Sequence, residues 1–389
     1  MSRSRRKRHA RSKGHARSAR PARFTGLARL ARSARRLRAP GLPILLAVLI
    51  VAVLVVHRPP AARATQFRAV MADTSVADTD PTPSRDGKWL AFTSDRSGSK
   101  QIWVMPIEGG EPKRLTFEAD TVRAMTPTWS PDSRKLLFIS TRTRDYNIYE
   151  VPREGGEVKA MSDAHASNRF ATYSPDGSKI AFASNRLEPG QLWGFDLFLM
   201  DPQGETYKVN PAKRLTHNNG SPGHPTWSPD GKWVGYVAKN VDTTQTVKIG
   251  PGMTAKKTAL FSAYRLWKVD VATGKETQLT GPDKDGTQSE EIWPDWSPDG
   301  KYIAMARRVG TKNDVWIYEV ATGRLFPLTT FGDCSKPTWG PDSKTLWFTR
   351  WKGRNEDIWE ATDITIPPPA AKAAVKKKPA ARRAPGTKR

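Results

Sequence analysis

Three of the chain's six histidines, His165, His217 and His224, lie in its central body, with two adjacent carboxylates, Glu290 and Glu291, further along. Imidazoles grouped with carboxylates could hold a metal ion or relay a proton near neutral pH. Nothing in their spacing requires it, since polar residues also serve as solvated turn formers, and a cluster is the less economical reading. Asp283, Asp285, Gly286 and Glu290 faintly resemble a calcium loop, but their spacing misses the twelve-residue pattern. A single cysteine, Cys334, excludes an intrachain disulfide and any cysteine-cluster metal site. There is no G-x-S-x-G nucleophile elbow, P-loop or dinucleotide fingerprint. The reading therefore assigns no catalytic residue, no metal and no cofactor. It keeps His165, His217, His224, Glu290 and Glu291 as candidate ligand-binding residues.

The elements that must position these residues come from a repeat. PTPSRDGKWLAF (81–92) recurs as PTWSPDSRKLLF (127–138), ATYSPDGSKIAF (171–182), PTWSPDGKWVGY (225–236), PDWSPDGKYIAM (294–305) and PTWGPDSKTLWF (337–348). Ser-Pro-Asp-Gly suits a tight turn, with proline fixing φ at the second position and glycine relaxing the fourth. A strand enters each turn and an alternating apolar strand leaves it, so the unit is a hairpin. Downstream stands an aliphatic–aromatic pair: Ile102-Trp103, Ile148-Tyr149, Leu197-Phe198, Leu266-Trp267, Val315-Trp316 and Ile358-Trp359. It lies 17 residues after the turn aspartate in copies one, two, five and six, 22 in the third and 37 in the fourth. The first five copies then close on strings such as Arg114-Leu115-Thr116 and Arg214-Leu215-Thr216.

Four short strands per unit predict an all-β, six-bladed β-propeller with four-stranded antiparallel blades over residues 65–366. The recurring tryptophans are read as packing within and between blades. The sixth copy stops after its third strand, and Gln66–Val70 is predicted to supply the missing one and close the ring.

The P-x-W-S-P-D-G-K-x-I-A-F string with its following R-L-T resembles the repeat of TolB-like (PD40, WD40-like) propellers. That repeat also occurs in the propeller domains of tricorn-type and prolyl-oligopeptidase-type peptidases. The first copy departs at Pro83 and Arg85, which replace Trp and Pro, and the sixth has Gly340 for Ser. The resemblance implies a periplasmic interaction hub in envelope maintenance. With no nucleophile elbow, peptidase chemistry is not expected.

In such a ring, the turns joining second to third strands and the connections between blades share one face. The longest insertion, Lys239 to Tyr264 in the fourth copy, belongs there, as do five extra residues around Arg186–Gly194 and the candidate histidines. Long loops on a rigid scaffold are where binding resides. The insertion is read as either a β-ribbon or a mobile loop, and as the contact for an envelope protein. The alternative is an enzyme or a small-ligand or polysaccharide receptor at the channel mouth.

The formal charge of +26 is unevenly spread. Fifteen basic residues lie in 1–38, three at Arg58, Arg63 and Arg68, and eight in 367–389, none offset by an acid, so residues 69–366 are neutral. Residues 39–57 contain an uncharged apolar run long enough to cross a bilayer once. Its basic flank predicts a cytoplasmic N-terminus, with 58–64 as linker and the propeller periplasmic or extracellular. The competing reading is a cleaved signal peptide ending near Ala62-Arg63-Ala64. A transit peptide fits the Arg- and Ser-rich start but not the apolar run. Residues 1–38 and 367–389 read as disordered tails for anionic lipids or envelope polymers. Topology argues against nucleic acid.

Overall fold

The structure, a computed structural model, describes residues 64–366, apart from short stretches at 72–74, 188–193, 207–208, 240–244, 251–252, 258–262 and 282–288 and single positions 144, 164, 219 and 354. The predicted transmembrane segment at 39–57 and both basic tails lie outside the described residues. Among the described residues no helix is long and apolar enough to cross a membrane.

Six four-stranded antiparallel sheets follow one another around a ring. Within a blade the strands run A to D outward. The A strands, Asp78–Pro83, Ala124–Trp129, Asn168–Tyr173, Gly223–Trp227, Ser289–Trp296 and Cys334–Trp339, contact one another in sequence, and the last touches the first. Gln66–Ala69 pairs with Asn355–Thr362 in the register Gln66↔Thr362 to Ala69↔Trp359. This N-terminal strand completes blade six as its fourth strand, so all six blades have four strands and the ring is closed by both ends of the propeller sequence. Phe67 seals the joint by packing edge-on against Phe331, with ring centroids 5.5 Å apart.

Each A–B turn is held by bonds within six residues. In blade four Gly231 N donates to Ser228 O (2.9 Å), Ser228 Oγ to Asp230 Oδ1 (2.6 Å), and Trp233 N back to Ser228 Oγ (3.0 Å). The serine hydroxyl bond, with Lys232 N–H, holds the Asp230 carboxyl below its usual range. Ser133 and Ser343 stand where other copies have glycine, with φ of 59° and 55°. Each hydroxyl accepts from the preceding turn, Ser133 from Asp86 N (3.1 Å) and Ser343 from Asp299 N (3.0 Å).

The repeated tryptophans are buried between blades as expected, at 4–8 % exposure for Trp129, Trp227, Trp296 and Trp339. Trp129 Nε1 donates to Thr82 O of the preceding blade (2.9 Å). The insertion of blade four forms a two-stranded antiparallel ribbon, Gln245–Gly250 with Met253–Lys257.

Candidate functional site

Every A strand breaks its register once, between Thr79/Thr82, Met125/Thr128, Arg169/Thr172, Gly223/Thr226, Ile292/Asp295 and Ser335/Thr338. The cause is legible in the repeat. Five copies place proline here, which has no N–H to give to the ladder, and a bulge accommodates the missing bond; the third copy keeps the same bulge with Ala171 in the proline's place. The residue before it turns left-handed: Asp80, Thr126, Phe170, His224, Trp293 and Lys336 have φ between 50° and 57°. A non-glycine residue is costly in that region and is held there only by its surroundings.

These six residues ring the channel. Phe170 and His224 stack with centroids 3.8 Å apart, His224 meets Trp293 edge-on at 5.8 Å, and Lys336 Nζ lies 5.6 Å over the Trp293 ring. Lys336 then pairs with Asp80. Burial pushes the His224 imidazole down to about 3, with the Lys336 charge acting in the same direction, so it is neutral at physiological pH. Burial pushes the Asp80 carboxyl up, but the Lys336 ammonium and nearby hydroxyls outweigh it and leave it below its usual range.

Between this ring and the A–B turns lies a cavity of about 210 Å³, walled by the prolines, threonines and tryptophans of the repeat. Two charged residues depart from that pattern. Asp295 stands where the other copies carry Thr82, Thr128, Thr172, Thr226 and Thr338, and Arg85 stands where the others carry the turn proline. Asp295 Oδ2 accepts from Trp339 N at 2.7 Å, and Oδ1 lies 3.4 Å from Thr226 Oγ1. Burial pushes its carboxyl up to about 6. Among the described residues Arg85 forms no ion pair within 4 Å and its side chain is exposed.

Of the five residues singled out in the sequence, only His224 lines this cavity. His165 is exposed, its amide donating to Asp163 Oδ1 at 3.2 Å. His217 is also exposed, its amide donating to Glu276 Oε1 at 2.7 Å. Glu290 pairs with Arg308 near the surface.

Glu291 is fully buried, with Arg307 Nε at 3.2 Å and Arg265 Nη1 at 3.4 Å. Its place follows from the outer strands. In blade one the Thr116 hydroxyl accepts from Ile102 N (2.9 Å) and donates to Gln101 Oε1 (2.8 Å). Blades two, three and five repeat the arrangement with Asn147, Asp196 and Asp314. Blade four carries Arg265 in that position, so Thr280 donates instead to Glu291 Oε2 (3.0 Å), brought in from the next blade. Glu291 is therefore a latch between blades. Among the described residues no group of three or more His, Cys, Asp or Glu is placed to hold a metal ion.

The fold and channel define an all-β, six-bladed propeller, and the comparisons refine its kind. The family model described as TolB beta propeller domain matches residues 123–250. Among solved structures, a putative TolB from Agrobacterium tumefaciens superposes with a TM-score of 0.55 at 18% identity, over 78% of this chain and 98% of that one. TolB from Acinetobacter baumannii gives 0.51 at 17% identity, over 75% and 65%. A gluconolactonase from Xanthomonas campestris gives 0.52 at 14% identity, over 78% and 91%. In sequence, 163 residues are 25% identical to dipeptidyl-peptidase 5 of Porphyromonas gingivalis. They cover 41% of this chain and only 20% of that protein's length. Residues 123–250 thus match the TolB propeller family model, and the ring as a whole shares the fold of the TolB structures.

Proposed function

We propose that this chain is a membrane-anchored, extracytoplasmic propeller that serves as a protein-interaction module of the cell envelope. The observation that carries this reading is the ribbon Gln245–Gly250/Met253–Lys257, which extends from the B–C end of blade four. Elsewhere the described parts of the ring use only the strands needed to close blades. The insertion Lys239 to Tyr264 carries four lysines against one aspartate, which suits an acidic partner surface. The apolar run at 39–57, with its basic flank, supports the anchor and its orientation. The TolB-like resemblance supports a hub function in the periplasm. The basic tails suit anionic lipids or envelope polymers beside the membrane.

The test is crosslinking and affinity purification from native membranes, comparing the wild type with a deletion of residues 242–260. A stoichiometric protein partner lost on deletion is the expected result. Recovery of the chain alone in both samples would sink the adaptor reading. Recovery from the soluble rather than the membrane fraction would remove the anchor.

A further inference from the structure

The six-fold repeat separates what the fold requires from what it does not. At the position of Asp295 the other copies bond to the next blade through a neutral threonine hydroxyl where the bond is seen: Thr226 Oγ1 accepts from Trp296 N at 3.0 Å and Thr128 Oγ1 donates to Ala171 O at 2.8 Å. Asp295 does the same for Trp339 N at 2.7 Å and brings a second oxygen and a charge that this bond does not need. At the position of Arg85 the fold asks for a residue with the turn's φ, which proline supplies in the other five copies. Arginine gives up that preorganisation and adds an unpaired guanidinium.

These two departures line one cavity, although 210 positions separate them in the chain. Asp295 sits deep in the ring yet keeps accessible surface, as a wall residue of a cavity does. The Arg85 charge acts to lower the carboxyl's proton affinity, and burial outweighs it. On the inner side the contacts from Phe170 through His224, Trp293 and Lys336 to Asp80 narrow the channel. The cavity's approach is thus from the A–B turns, where Arg85 stands.

We propose that this cavity binds a small zwitterion of the amino-acid class, its ammonium on Asp295, its carboxylate toward Arg85, and its apolar body against the proline and tryptophan walls. A buried carboxylate without a cationic partner is an unfavourable arrangement that an ammonium group relieves. A guanidinium is matched to a carboxylate in both charge and shape. A plain amine leaves Arg85 unused, and a plain acid brings a second anion toward Asp295. The volume of about 210 Å³ admits a compact ligand rather than an oligosaccharide. This inference is independent of the partner-binding role of the opposite face.

The test is isothermal titration of the full chain in detergent with two matched series. One is L-leucine, isopentylamine and 4-methylpentanoate, and the other is L-phenylalanine, phenethylamine and 3-phenylpropanoate. Saturable binding of at least one amino acid is expected, with its amine and acid analogues at least tenfold weaker. Asp295→Thr and Arg85→Pro each restore the residue that the other copies use, so both should fold, and each should weaken binding tenfold or more. The proposal is overturned if neither amino acid binds saturably, if an analogue binds as tightly as its parent, or if both variants bind as the wild type does.

Discussion

The two ends of the ring are built from the same strands under different rules. At the A–B end, five hairpin turns repeat one serine-centred hydrogen-bond pattern that closes within a few residues, as in Ser228–Trp233, and the sixth, with Gly340, closes as locally through Asp342. At the B–C end the partners come from afar. Arg96 reaches Asp78 across 18 residues, Glu291 reaches back to Arg265 across 26, and blade four adds a whole ribbon. Local chemistry leaves the turns little freedom to vary, because each supplies its own partners. The opposite end is free to change in length and charge provided buried groups find partners somewhere.

Removing a long-range partner should cost most. Glu291→Leu strands two buried arginines, and a loss of about 3–5 kcal/mol is expected in urea denaturation. A loss under about 1 kcal/mol would mean the latch is dispensable and the contrast between the ends is wrong.

Asp295 should contribute next, with a definite pH signature. Its pKa of about 6 in the fold lies above the value of about 3.9 for an unfolded chain. The folded state therefore holds the proton more tightly, and the stability this provides is present below about pH 4 and lost as pH rises through about 6. Asp295→Thr should be stabilising relative to wild type at pH 8, by roughly 1–3 kcal/mol, and not at pH 4. His224, with its pKa pushed down to about 3, acts in the opposite direction. It is common to both proteins, so the difference between their thermal melts isolates Asp295. Equal differences at the two pH values would contradict the assignment.

Breaking a single turn should cost less. Ser228→Ala removes the hydroxyl that donates to Asp230 and accepts from Trp233 N at a buried position, for a loss of about 1–2 kcal/mol. The same change at Ser174 or Ser297 should match it, since the bonds are the same. Unequal losses would show that the turns are not independent. Smallest of all, deletion of 242–260 should leave the unfolding midpoint within about 0.5 kcal/mol of wild type, because the ribbon pairs only with itself. A large shift would show that the ribbon is part of the ring's structure.

Most of the architecture was legible in the sequence. The repeats gave blade number and strand order, and the closing strand expected at Gln66–Val70 is found at Gln66–Ala69. Proline inside an innermost strand also carries a signal for five of the six bulges, the third having Ala171 instead. The candidate site was far less legible. His165, His217, Glu290 and Glu291 lie in loops and strand starts of one face, but each is held by a different partner. Arg85 was visible only as a departure from the repeat, and Asp295 as an aspartate where the other five copies have threonine.

By itself, then, the sequence determined what closes over short distances: hairpin turns, strand alternation and the count of blades. Only the tertiary structure decided which residues meet across the channel. Asp80 and Lys336 are 256 positions apart and form an ion pair, and Arg85 and Asp295 line one cavity. Ring closure brings the first and last blades together, and the bulges turn one residue per blade into a common ring. Neither neighbourhood exists until all six blades have packed, so no local pattern could announce it.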